Sequence, residues 1–267
     1  MTDATVLATL SGAIGGFREF AAAVNSAVPR PASGSTAEGD QSLSGNKLVP
    51  HGVVAGLMSS VADHLDAWAE KAGDRESGTI HLHLFADYSL FRPILEGLVE
   101  VIWILDGDNS NERIKRALEV AKIEYKHGMT LTSALNRAGT PDHEMSAGML
   151  ALGRIIRATA TLIGLEPEEF IAERPVDPSA LTRKIAHRVP GPTLQTLSYW
   201  ALTSAHAHGQ IISAFRFAVE SPLEEPHRGG ALLEPDEVKL AELILFVKSL
   251  LDIVVRLLNE QGYELAR

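Results

Sequence analysis

Apolar positions recur at steps of three and four along most of this chain, the spacing of helices that bury one face. From Pro50 to Lys71 the repeat runs through Val53, Val54, Leu57, Met58, Val61, Leu65 and Trp68, and Gly73 supplies a stop. His83–Leu105 is the most apolar long segment before the C-terminus, yet it holds Arg92-Pro93. Proline lacks the helical N–H and disfavours helical geometry at the residue before it. Either a kink or a fresh helix start with Pro93 in the first position is expected. Asp106-Gly107-Asp108 ends this segment, and Asn109 or Ser110 caps a long helix to about Arg137. Its polar face, from Glu112 and Arg113 to Lys126, reads as solvated and laced with intrahelical ion pairs. Thr140-Pro141-Asp142 opens a helix to about Ile163, and Pro167-Glu168-Glu169 a short one. Residues 175–191 are irregular, with a helical turn near Ala180–Arg188. A long helix is expected from Pro192 to about Ala218, a loop over Ser221–Leu233, and a last helix from Pro235 to about Gln261. In that last helix the polar residues form a thin stripe (Glu242, Lys248, Asp252, Arg256, Glu260), so most of it should be buried.

Residues 3–28 carry a weaker helical pattern, because Gly12, Gly15 and Gly16 each cost about 1 kcal/mol relative to Ala. Residues 29–46 are rich in Pro, Gly and Ser and have no period, as in a mobile linker or surface loop. The expected organisation is a weakly helical arm with a flexible linker over 1–46, and a single helical domain over 47–267. No period-two strand and no internal repeat is visible. The fold class is all-α, an up-and-down helical bundle of about six or seven long helices. Its expected core holds Leu95, Val99, Ile102, Leu105, Ile155, Leu162, Leu197, Ile211, Leu243, Val247, Leu251 and Val254.

Composition narrows the function classes. The chain has no cysteine, which removes disulfides and thiolate chemistry and fits a reducing cytoplasm. Its net charge of −10 repels phosphate backbones in general. No basic region precedes Val6–Leu10, so no secretory signal is expected, and no apolar run reaches the ~18 residues of a membrane span. A cytoplasmic protein with no membrane partner is the expectation.

Two polar constellations stand out. Arg92, Glu96 and Glu100 lie four apart and stack along one stripe of an otherwise apolar helix. They line a pocket between helices or form a salt bridge on a half-exposed face. Trp200, Ser204 and His208 share one face of a later helix, with Tyr199, Thr203 and His206 on the neighbouring face. His206 and His208 are candidates for proton transfer or anion binding, against the alternative of core histidines satisfied by neighbours. The expectation joins the two helices by their polar faces, with Arg92, Glu96, Ser204 and His208 as candidate catalytic residues and Glu100, Tyr199 and His206 as candidate ligand-binding residues. No metal and no cofactor is expected. Glu124-x-x-His127 has the spacing of half a di-iron site, but no second such motif exists. Arg75 to His81 and Arg137 to His143 fit an Arg-x4–6-His nuclease spacing, as about two pairs would by chance.

The Phe91-Arg92-x-x-x-Glu96 helix together with Trp200-x-x-x-Ser204-x-x-x-His208-Gly209 resembles bacterial, mainly actinobacterial, helical proteins of unknown function. These pair an Arg-x3-Glu helix with a Tyr-x3-Ser-x3-His helix. That group is loosely similar to the HEPN-like superfamily, which includes RNA-cleaving proteins. The resemblance covers about residues 80–118 and 195–212, and Trp200 stands where those proteins have Tyr. It implies a shared site at Arg92, Glu96, Ser204 and His208, and makes RNA a partner only on that reading. From the residues themselves the expected function is an interaction or regulatory module, a homo-oligomer, with room for a protein partner. The alternative is a HEPN-like ribonuclease or small-ligand enzyme using the same seam.

Overall fold

The computed structural model of the chain describes residues 3–45, 48–73, 79–83, 85–189, 193–208, 218–221 and 232–264. Ten α-helices dominate the described residues, and the fold is an all-α bundle. Helix α1 (Asp3–Ser26) is continuous through Gly12, Gly15 and Gly16, where a loose arm was expected. Its Val6, Leu10, Ile14, Phe17, Ala21 and Val24 are buried in the same apolar cluster as the rest of the bundle. Burying a large apolar side chain stabilises by roughly 1.5–3 kcal/mol, more than a glycine costs. The expected linker is also structured. Helix α2 (Thr36–Leu43) forms inside it, and the Glu38 N–H donates to Ser35 Oγ (3.1 Å) while the Glu38 carboxylate accepts from the Gly34 N–H (2.6 Å). This is close to a capping box, written into a stretch that looks like linker. Strand β1 (Arg30–Pro31) pairs antiparallel with the last two-residue strand, Tyr263–Glu264.

A π turn at Leu48–Gly52 leads into α3 (Val53–Ala72), and Trp68 of α3 is wedged between Phe17 and Phe91, at ring separations of 5.7 and 5.3 Å. Phe91 belongs to α4 (Ala86–Leu105), the central element, which touches α3 along most of its length. The two helices come close where Gly97 faces Val61. A Cβ at Gly97 would lie 2.7 Å from Val61 Cγ2. Gly97→Ala is therefore expected to destabilise by about 1–3 kcal/mol, although alanine is the better helix former. Urea denaturation checks this, and the loss should shrink in a Val61→Ala background, since the two positions share one space.

Of the two outcomes expected at Pro93, a kink or a fresh helix start, the fresh start does not occur: α4 runs through and Pro93 sits in its interior. The turns on both sides are pinned by buried Phe91, Ile94, Leu95 and Leu98, which offsets the roughly 3 kcal/mol cost of an internal proline. Asn109 caps α5 (Ser110–Arg137) by accepting from the Glu112 N–H, and Asp142 caps α6 (His143–Leu162) in the same way from Met145. Short helices α7 (Pro167–Ala172) and α8 (Pro178–Lys184) precede α9 (Thr193–Ala207). The expected continuation of α9 to Ala218, including Ile211 and Gly209, lies outside the described residues up to position 217. Strands β2 (Ala218–Ser221) and β3 (Leu232–Pro235) pair antiparallel across the segment read as a plain loop. The last helix, α10 (Glu237–Gln261), is capped by Asp236 and largely buried, as its thin polar stripe implied. It ends at Gly262, whose φ of 77° suits glycine and whose Cβ would strike Ser35 at 2.5 Å. Strand β4 (Tyr263–Glu264) closes the chain against β1.

Most of the expected core is buried, with three corrections. Leu162 is 57% exposed, and Ile155 and Leu197 are only half-buried. The inward positions of α6 are instead Ile156, Thr159 and Ala160. No helix among the described residues is long and apolar enough to cross a membrane.

Candidate functional site

The polar stripe of α4 does meet α9, at one point. Arg92 Nη2 pairs with Glu96 Oε1 at 2.5 Å, Nη1 donates to the Trp200 carbonyl at 3.0 Å, and the guanidinium lies 3.8 Å above the Trp200 indole. A planar cation on an aromatic face with a carboxylate alongside is a strong local clamp. Thr203 Oγ1 donates to the same Trp200 carbonyl and to that of Tyr199. The crevice behind this clamp, walled by Glu96, Glu100, Leu181 and Trp200, has no room for a water molecule. Burial pulls Arg92 below its usual range while Glu96 holds it up. Burial first, and the Glu96 charge second, push Glu100 up to about 7.

The other candidates are not brought into this clamp. Ser204 is half-buried and His208 exposed, and the side chain of neither makes a hydrogen bond or ion pair among the described residues. Their link is a backbone bond, from His208 N–H to Ser204 carbonyl. His206 and Tyr199 point elsewhere, into the apolar core. The His206 ring is 2% exposed, lies against Tyr88 (4.6 Å) and Phe85 (5.7 Å), and donates from Nδ1 to the Leu202 carbonyl at 2.9 Å. Burial lowers its pKa, so it is held neutral. Tyr199 stacks on Phe246 of α10 at 5.0 Å. Among the described residues the clamp thus consists of Arg92 and Glu96 with the backbone and ring of Trp200. Glu124 and His127 open onto a cleft shared with Glu100, Met145 and Met149, and no cluster of three metal-ligating side chains occurs among the described residues.

The charged face of α5, expected to be solvated, is where the structure differs most from the pattern. Arg113 and Lys122 are buried. Arg113 holds Asp40 of α2 through two bonds, Nε to Oδ2 at 2.6 Å and Nη2 to Oδ1 at 2.9 Å, and donates to the Gly107 carbonyl at 3.0 Å. Lys122 reaches Glu119 and the Phe170 carbonyl, both at 3.0 Å, and lies 4.1 Å from the Phe170 ring. Glu112, Lys115, Arg116 and Glu119 of this face wall a cavity of about 870 Å³ between the end of α4, the start of α5 and the α6–α8 segment. Trp103 forms its floor with Ile163, Leu165 and Val176, and Arg116 and Lys184 approach the indole to 5.7 and 5.2 Å. Neither Trp103 nor Lys184 was singled out from the sequence. The only sequence signal was the run of charges from Glu112 to Glu119, which a solvated helix shows equally well.

No family model, curated protein or solved structure matches the chain.

Proposed function

We propose that this chain is an association module rather than an enzyme, and that its protomers dock on one another through the groove between α1 and α10. The observation that carries this is a mismatch between cost and use. A Cβ at Gly12 or Gly16 would meet nothing within 4 Å, so these glycines weaken α1 without serving any contact inside the protomer. They line a groove of about 520 Å³ with Phe17, Phe20, Leu245 and Val255, where a second helix could come close. Leu7 and Leu245, 52% and 46% exposed, stand on α1 and α10.

The occupant argued for is a second copy. In a chain of net charge −10, the groove is locally neutral, carrying one cation, Lys248, and one anion, Asp252. Neither makes an ion pair among the described residues, and they lie one turn apart on α10. A two-fold axis across the groove sets Lys248 of each copy against Asp252 of the other, the self-complementary arrangement of a cyclic dimer. The clamp at Arg92 supports the same reading, because a closed crevice offers no substrate access.

Gly16→Leu tests it. The substitution fills the groove and improves α1 by about 0.5–1 kcal/mol. The wild type should sediment as a dimer at about 100 µM and the variant as a folded monomer. A monomeric wild type, or a variant that remains dimeric, overturns the proposal.

A further inference from the structure

The Trp103 cavity carries a charge imbalance that its own residues do not resolve. Three acidic side chains line it, and each is already engaged. Asp106 accepts from Arg188 Nε at 2.6 Å through Oδ1, and His187 Nε2 lies 2.9 Å from its Oδ2. Glu112 is bound by Arg116, and Glu119 by Lys122 at 3.0 Å. The cations Lys115, Arg174 and Lys184 also line the cavity, and none of them makes an ion pair among the described residues. Arg174 acts on Asp177 only at a distance, as a minor influence on a carboxyl held low by its bonds to Ser179. Three cations without an ion pair among the described residues thus line one cavity of an otherwise acidic molecule, each on an exposed residue.

The floor is of the opposite character. Trp103 is 6% exposed and sits beside Ile163, Leu165 and Val176. Because Arg116 and Lys184 occupy the indole's surroundings, the ring serves as an apolar wall and an anchor for Lys184 rather than as a free stacking platform. About 870 Å³ is far more than one phosphate requires and falls in the range of sites for small organic ligands.

We infer that this cavity binds a multiply charged, phosphate-bearing anion of nucleotide size, its charged end held by Lys115, Arg174 and Lys184 and its less polar body on the Trp103 floor. Charge-assisted bonds from a cluster of cations give the affinity and the apolar floor discriminates against bare phosphate. This rests on different residues from the α1–α10 groove and stands whether or not the chain dimerises.

The probe is ATP, titrated calorimetrically into the full chain at low salt, with inorganic triphosphate and adenosine as separate arms. ATP should bind severalfold more tightly than triphosphate, adenosine should give no measurable heat, and added salt should weaken the binding. Lys115→Ala with Arg174→Ala should weaken ATP at least tenfold while leaving the melting temperature unchanged, since both residues are exposed. Absence of ATP binding to the wild type, or equal binding to the double variant, overturns the site. Triphosphate as tight as ATP overturns the role of the floor, and adenosine as tight as ATP overturns the role of the cations.

Discussion

Asp40→Ala should lower the stability of this protein by about 3–5 kcal/mol, the loss typical of removing one partner from a buried ion pair. Asp40 is 2% exposed and Arg113 5%. Both carboxylate oxygens are used by the guanidinium, whose Nη1 also donates to the Gly107 carbonyl at the α4–α5 turn. The alanine variant leaves Arg113 charged, dry and half-bonded, which is worse than having no charge there at all. The turn at Gly107 is packed close to Arg113, since a Cβ there would come within 2.6 Å of Arg113 Cγ. Replacing both partners by apolar side chains, Asp40→Leu with Arg113→Met, should recover most of the loss. Urea denaturation of the two proteins gives the comparison. A loss below about 1 kcal/mol in Asp40→Ala would mean that this pair does not dock α2 in solution.

How much of this was legible depends on how local each cause is. Caps are local, and Asn109 and Asp142 stand where their side chains suit a helix start. The all-α fold and the buried last helix follow from periodicity. Arg113 and Lys115 look alike in the pattern, two positions apart on one charged helix, yet one is buried and the other exposed. What separates them is Asp40, 73 residues away, in a stretch whose composition argued against any structure. The glycines of α1 misled in the same manner: propensity counts their local cost and is silent about six buried neighbours. The seam was half legible. Arg92 does meet the Trp200 helix, but through a carbonyl and a ring face, neither of which a motif records. Trp200, Ser204 and His208 share a face, yet His208 lies about 12 Å further along the axis. A helix meeting α9 at Trp200 therefore need not reach His208. The Trp103 cavity was invisible because its cations come from α5, the α7–α8 connection and α8, which only the fold assembles.

Glu100 should make the protein lose stability as pH rises through neutrality. Arg92 is committed to Glu96, and Glu100 makes no ion pair among the described residues, one turn further along a stripe with an apolar surround. Its carboxyl is pushed up to about 7 by burial and by the Glu96 charge. In the unfolded chain a glutamate titrates near 4.3. Between these values the folded protein holds a proton that the unfolded chain has released, so stability is full at low pH and falls as pH climbs from about 4.5 to 7. The upper bound is about 4 kcal/mol, reduced by the residual solvent contact of a half-buried side chain. Glu100→Gln removes the titration while keeping the shape. Wild type and variant should be about equally stable at pH 4, and the variant the more stable by on the order of 2 kcal/mol at pH 8. His51 and His206, lowered by burial, act in the opposite sense below about 6.5, but both are present in each protein and cancel in the difference. Asp87, fully buried and raised by that burial, has the same sign as Glu100, so some slope should survive in the variant. Denaturation midpoints across this range decide it: parallel curves for the two proteins would mean that Glu100 is ionised at neutral pH without penalty, and that the stripe of α4 is wet rather than closed.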